Sequence, residues 1–186
     1  MITYMAQIGK IKSNSYLELK QDPFSFYQPV WQFALLSILT FGVYDIYWYY
    51  KNWTRIKAYK FLNFSPQLRT VGLFIPIYNF FLIYKTHKEY RDLIKERGIE
   101  RDIYPGPIVL VIIISFVLLR LSDPYWLLCF ISTLPLAMVQ SVLNDLWDKI
   151  QVGKPRRTGL RGRQILLIVL GSLSWIFVLI GMFIPD

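Results

Sequence analysis

"ILLIVLGSLSWIFVLIGMFI", from Ile165 to Ile184, decides the class of fold. None of its 20 residues carries a charge. A run of about 20 apolar residues can cross the ~30 Å hydrocarbon core of a bilayer as a helix. The composition agrees, because 54% of the chain is hydrophobic and 18% is charged, whereas soluble domains carry about 25% charged residues. We therefore predict an all-α, polytopic helical membrane protein.

Four more apolar segments precede this one, and the last three of the five are continuous enough to predict clear transmembrane helices. The connector 120–124 is short enough to be a tight turn between two antiparallel helices. We expect a single helical membrane domain over residues 29–186. Residues 1–28 lack the apolar core of a signal peptide, so we expect this N-terminal segment to stay in the cytoplasm. The five segments are Pro29–Tyr50, Leu68–Tyr84, Pro107–Leu121, Tyr125–Leu143 and Ile165–Ile184.

Basic stretches separate the apolar segments at residues 51–69, 85–101 and 149–163, and the net charge is +9. The positive-inside rule places the loop 149–163 in the cytoplasm and the turn 120–124 on the other side. The first two apolar segments fit this rule poorly, because two full crossings would put one basic stretch outside. They are therefore either broken or re-entrant, or kinked full spans, and the sequence leaves both interpretations open.

A short internal repeat favours the broken interpretation. "YDIYWYYK" (Tyr44–Lys51) and "YNFFLIYK" (Tyr78–Lys85) match at an offset of 34 residues. A helix breaker precedes each copy, Gly42 in the first and Pro76 in the second. We predict that each copy starts a new helix, and that the second one runs to about Arg97 and ends at Gly98.

Four polar residues lie in or beside the apolar segments: Asp45, Asn79, Gln140 and Asn144. Asp45 and Asn79 follow the two helix breakers, where their side chains are good N-caps. Gln140 and Asn144 share a helix face, where an inter-helix hydrogen bond contributes ~0.6 kcal/mol. The competing interpretation joins all four in a polar path, since a charge at membrane depth costs about 2.5–3.5 kcal/mol and often marks a site.

Aromatic residues crowd the first copy of the repeat. Tyrosine and tryptophan prefer the boundary between lipid and water. We therefore expect an interfacial belt there, and we expect His87, the sole histidine, to be solvated or interfacial. The expected belt consists of Tyr44, Tyr47, Trp48, Tyr49, Tyr50 and Trp53.

The loop 149–163 carries the strongest interaction signal. Basic residues beside a membrane attract anionic lipid head groups by about 1 kcal/mol each, although they also suffice to set topology alone. The chain has no metal-ligand spacing, phosphate loop, dinucleotide motif or nucleophile–base pair. We predict no catalytic, metal or cofactor-binding residue and no nucleic-acid partner. The candidate lipid contacts are Lys149, Lys154, Arg156, Arg157, Arg161 and Arg163.

The first copy of the repeat also carries a resemblance. Thr40, Phe41, Gly42, Tyr44, Tyr47 and Trp48 match the signature T-F-G-I-Y-x-x-Y-W, with Val43 at the isoleucine position. This signature resembles that of small multi-pass prokaryotic membrane proteins grouped as a domain of unknown function, over roughly residues 29–90. Gln140–Ile150 is similar in kind. The resemblance implies a plasma-membrane location and brings no activity.

The sequence therefore predicts a non-enzymatic membrane protein that acts through helix packing and contacts with lipid, a membrane-protein partner or a second copy of itself. A small transporter or channel component that uses the polar path is the alternative. A lipid-modifying enzyme ranks third, because the chain offers no persuasive catalytic group.

Overall fold

The computed structural model describes residues 23–183, and these residues form helices and no strand. The all-α prediction is confirmed, whereas the cytoplasmic placement of residues 1–28 falls mostly outside the described residues. The helices are α1 (Val30–Leu39), α2 (Val43–Lys60), α3 (Pro66–Gly72), α4 (Tyr78–Glu96), α5 (Pro105–Leu118), a 3-10 helix (Tyr125–Ser132), α6 (Thr133–Ile150) and α7 (Gly162–Phe183).

Two stretches of the described chain are long and apolar enough to cross a membrane. They are Tyr125–Ile150, which joins the 3-10 helix to α6 over 26 residues, and Gly162–Met182 in α7, with 21 residues. The third predicted span corresponds to α5, which has 14 residues. At ~1.5 Å per residue α5 is about 21 Å long, short of the ~30 Å hydrocarbon core. Two of the three predicted spans therefore have the length and apolar composition to cross a membrane, and the count of about three spans stays a prediction.

Both N-terminal apolar segments are broken helices, as the repeat predicts. The first is interrupted between α1 and α2, where Gly42 has φ +81°. The second is interrupted between α3 and α4, where Ile77 has φ +66°. α1 has 10 residues and α3 has 7, so at ~1.5 Å per residue each falls far short of a full crossing.

The helix restarts differ from the prediction in their caps. Gly42 and Ile77 occupy the N-cap positions of α2 and α4, and neither residue makes a side-chain capping hydrogen bond. Asp45 and Asn79 lie inside the first turns instead, so their prediction as N-caps is wrong. Because Gly42 adopts a left-handed backbone conformation at the N-cap, α2 begins at Val43, two residues before Asp45. The Thr40 hydroxyl accepts a hydrogen bond from the Tyr44 amide at 2.9 Å.

Most of the predicted interfacial belt is core. Tyr44, Trp48, Tyr49 and Trp53 are buried, whereas Tyr47 remains 46% exposed. The prediction is wrong for these four because α2 packs with its neighbours through its rings. The Trp48 ring lies 5.2 Å from that of Phe33 in α1 and 6.4 Å from that of Tyr90 in α4.

The end of α4 follows the prediction closely. Gly98 has φ +61°, donates its amide hydrogen bond to the Lys95 carbonyl, and is followed by Ile99, which donates to the Ile94 carbonyl. This pair of bonds is the Schellman motif, which glycine permits at little steric cost. The motif turns the chain from α4 toward α5.

Helix α7 packs against the C-terminal end of α1 and, through Trp175, against Trp126 and Phe130 of the 3-10 helix. A Cβ at Gly171 would lie 2.5 Å from the Leu39 carbonyl oxygen, so only glycine permits this approach. One turn later, the Trp175 indole donates a hydrogen bond to the Ile38 carbonyl at 3.1 Å. The Ile38 carbonyl also accepts the Phe41 amide at 3.2 Å, so the indole is its second donor and ties α7 to the end of α1.

Candidate functional site

Gln140 and Asn144 form one hydrogen-bonded amide pair in α6. The Gln140 amide donates to the Asn144 oxygen at 2.7 Å, and the Gln140 oxygen accepts from the Trp48 indole. Asn144 holds both backbone groups of Gln28, accepting from its amide at 3.0 Å and donating to its carbonyl at 2.8 Å. These bonds tie α6 to α2 and to the chain before α1, which is the packing role expected of the pair.

Asp45 and Asn79 lie apart from that pair. No hydrogen bond among the described residues links either of them to Gln140 or Asn144. Each has one buried side-chain oxygen without a hydrogen-bond partner in the described chain. The structure thus brings Gln140 and Asn144 together, and the polar path through all four residues stays a prediction.

His87 is buried, so its expected solvated position is wrong. Its ring lies 5.9 Å from the ring of Tyr49 and 5.7 Å from that of Tyr90. Its Nδ1 lies 2.8 Å from the Ile83 carbonyl, as expected for a donated hydrogen bond from a neutral ring. Burial lowers the pKa of His87 to about 4, because the charged ring would lose its water. The 83–87–90–94 spacing on α4 was the sequence signal for this buried face.

The basic loop 149–163 divides into two groups of cations. The first group is engaged inside the protein: Lys149 donates to the Gly98 carbonyl at 3.0 Å, and Arg156 pairs with Asp148 at 2.8 Å. Lys154 does not line the cavity described next. The second group, Arg157, Arg161 and Arg163, lines that cavity.

The cavity lies between the start of α1, helix α2 and the start of α7, and has a volume of about 810 Å³. Lys51 and Arg55 of α2 face it together with the second group of the loop, and none of the described lining residues is acidic. We call this site the basic cavity. Its other lining residues are Tyr27, Gln28, Gln32, Tyr44, Tyr47, Trp48, Gly159, Leu160, Gly162, Gln164 and Leu167.

Hydrogen bonds fix the wall that the loop contributes to the basic cavity. The Gln32 side chain of α1 donates to the Thr158 carbonyl. The Ser25 amide donates to the Pro155 carbonyl at 2.9 Å, and the Phe26 amide donates to the Gln151 side chain at 2.7 Å. The segment before α1 thus holds the loop beside α2, and this pairing of distant segments could not be read from the sequence.

Within the part of the chain that the structure describes, no group of three or more metal-ligating side chains is suited to a metal ion. Comparisons with known proteins found no match to this chain, whether among protein families, curated proteins or solved structures.

Proposed function

We propose that this chain is an integral, multi-pass membrane protein that acts without catalysis, through helix packing and contacts with lipid and with a membrane-protein partner or a second copy. Helix α7 carries the proposal. Its apolar side chains are exposed on several sides, among them Leu166, Val169, Leu173 and Phe177. Contiguous apolar surface of this extent is rare on soluble monomers, whereas a bilayer solvates it.

The charge distribution supports one orientation. The basic loop joins the C-terminal end of α6 to the start of α7, and the turn 120–124 lies at the opposite end of the hairpin formed by α5 and the 3-10 helix. We place the loop and the N-terminus in the cytoplasm on the positive-inside rule. The prokaryotic plasma membrane as the location rests on the resemblance of residues 40–48.

The amide pair supports a packing role rather than a catalytic one. Gln140 and Asn144 are the most buried polar side chains of the longer apolar stretch, and Trp48 bonds to Gln140 while Gln28 bonds to Asn144. A site for transport or catalysis requires polar groups that face a ligand. These two instead fix the relative positions of α6, α2 and the start of α1.

The first test is membrane extraction followed by cysteine labelling. We expect the protein to stay with the membrane after alkaline carbonate washing and to need detergent for release. In a Cys129→Ala background, Val152→Cys and Lys95→Cys should react with an impermeant thiol reagent only from the cytoplasmic side, and Ser122→Cys only from the other side. Recovery as a soluble monomer without detergent would refute the proposal.

A further inference from the structure

We infer that the basic cavity binds the phosphate head group of an anionic phospholipid whose acyl chains lie along α7. This inference deepens the proposed function, and it rests on that function because it requires the cavity to lie at a membrane surface. It rests further on three features of the cavity: its charge, its position at a helix N-terminus, and its apolar edge.

The charge of the cavity favours an anion. Lys51 and Arg55 lie four residues apart on one face of α2, and Arg157, Arg161 and Arg163 face them across the cavity. Five cations line one space, which gives the cavity a positive electrostatic potential that attracts an anion. A bound phosphate would accept charge-assisted hydrogen bonds from arginine side chains such as those of Arg161 and Arg163.

The N-terminus of α7 also favours an anion in the cavity. The helix begins at Gly162, and both Gly162 and Arg163 line the cavity. The first amides of a helix lack intrahelical partners and carry the positive end of the helix dipole, equivalent to about +0.5 elementary charge. The Gln164 side chain accepts the Arg161 amide at 2.8 Å, and the Gln164 and Ile165 amides donate to the Arg161 carbonyl. The amides of Gly162 and Arg163 therefore remain for a ligand. The dipole and the five cations act on the same space.

The apolar edge of the cavity selects a lipid over a free phosphate. Leu160 and Leu167 line the cavity, and exposed side chains such as Leu170 continue the apolar surface of α7. A head group bound at the start of α7 would leave its acyl chains beside that surface. Free phosphate would make no use of it.

The test measures lipid binding to the full-length protein in detergent. Phosphatidylglycerol is titrated in mixed micelles, with native mass spectrometry and thermal unfolding as readouts, and phosphatidylcholine, inorganic phosphate and glycerol 3-phosphate form parallel arms. We expect phosphatidylglycerol to bind and to raise Tm. The double variant Arg161→Gln/Arg163→Gln should weaken that binding by about 10- to 30-fold.

The control is Lys85→Gln/Lys88→Gln, which removes the same charge from exposed positions of α4 and should leave the affinity within about twofold. The single variants Arg161→Gln and Arg163→Gln keep the test valid should the double variant misfold. Equal weakening by the double variant and its control would overturn the inference, because binding would then follow total charge. Binding of inorganic phosphate as tight as that of the lipid would overturn the lipid assignment.

The two failures are distinguishable. If the protein stays in the membrane but binds phosphatidylglycerol and phosphatidylcholine equally, the binding of an anionic head group in the basic cavity is refuted and the proposed function is not. A protein that is soluble without detergent refutes the proposed function in the extraction test, before any lipid is added.

Discussion

Helix α7 and the apolar stretch that contains α6 are both long and apolar enough to cross a membrane, but their surroundings in the protein differ. In the apolar window that includes α6, 33% of the residues are buried within the protein, against 6% in that of α7. α6 presents Leu143, Leu146 and Trp147 to the core, whereas α7 touches α1 mainly through Gly171 and Trp175. Hydropathy therefore reports how much apolar surface a helix has, and its neighbours decide whether protein or lipid covers it.

The largest expected effect comes from the same truncation made in each helix. Leu143→Ala removes a fully buried side chain of α6 and should lower the free energy of unfolding by about 2–5 kcal/mol, because it leaves a cavity. Leu173→Ala, at a position 49% exposed on α7, should cost under about 1 kcal/mol in detergent. Denaturant unfolding of both variants measures the difference. Equal losses would mean that α7 is packed as tightly as α6.

Enlarging Gly171 tests the one close approach of α7. Gly171→Val places side-chain atoms against the Leu39 carbonyl, and we expect a loss of about 1–3 kcal/mol with release of Trp175 from Ile38. Gly181→Val is the matched control, since a Cβ there meets nothing within 4 Å. Tryptophan fluorescence and thermal unfolding report both. An unchanged Tm for Gly171→Val would show that α7 is not docked on α1.

Removing one amide of α6 tests whether its polar groups serve packing. Asn144→Leu leaves the Gln28 amide without its partner and leaves the Gln28 carbonyl only the Gln140 amide, at 3.4 Å. This should cost about 1–3 kcal/mol because unsatisfied buried groups keep their desolvation penalty. Asn63→Leu makes the same change at an exposed position between α2 and α3, and should cost under about 0.5 kcal/mol. A neutral Asn144→Leu would argue against the packing role.

The smallest expected effect is a dependence of the folding stability on pH, which arises from the buried His87 of α4. The pKa of His87 is about 4 in the fold and about 6.5 when unfolded, so only the unfolded chain takes up the proton in between. Stability should be complete above pH 6.5 and fall toward pH 4, by on the order of 1–2 kcal/mol at pH 5. The nearby Tyr49 and Tyr90 stay neutral throughout this range.

His87→Leu is the variant that checks this assignment. Unfolding of the two proteins is measured at pH 7 and at pH 5, and the loss on acidification should be smaller in the variant by that amount. α7 contributes nothing to this dependence, because Ile165–Met182 holds no ionisable side chain. The same pH slope in both proteins would assign the effect to carboxylates elsewhere.

Local signals in the sequence predicted where the helices break, but they did not predict which side chains are buried. Gly42 and Gly98 act through their own backbone, so their effect can be read from the residue itself. A tyrosine or tryptophan suits a membrane interface as well as a core, so the composition of α2 did not reveal that Trp48 is buried while Tyr47 is exposed.

The site depends on contacts between distant segments. Lys51 and Arg55 join Arg161 across more than a hundred residues of chain, and the loop that brings them together is held by Gln32 and by the segment before α1. The sequence therefore predicted six basic residues as one group. The structure separates Lys149 and Arg156, which bond to a carbonyl and a carboxylate outside the cavity, from the three arginines that line it.

The bond from Trp175 to Ile38 links positions 137 residues apart. A ribosome adding about 5–20 residues per second needs on the order of ten seconds to make that much chain. For that time the Ile38 carbonyl has the Phe41 amide as its hydrogen-bond donor, at 3.2 Å, and the contact between α1 and α7 is not yet made. The docking of α7 on α1 is therefore a late step in the assembly of this protein.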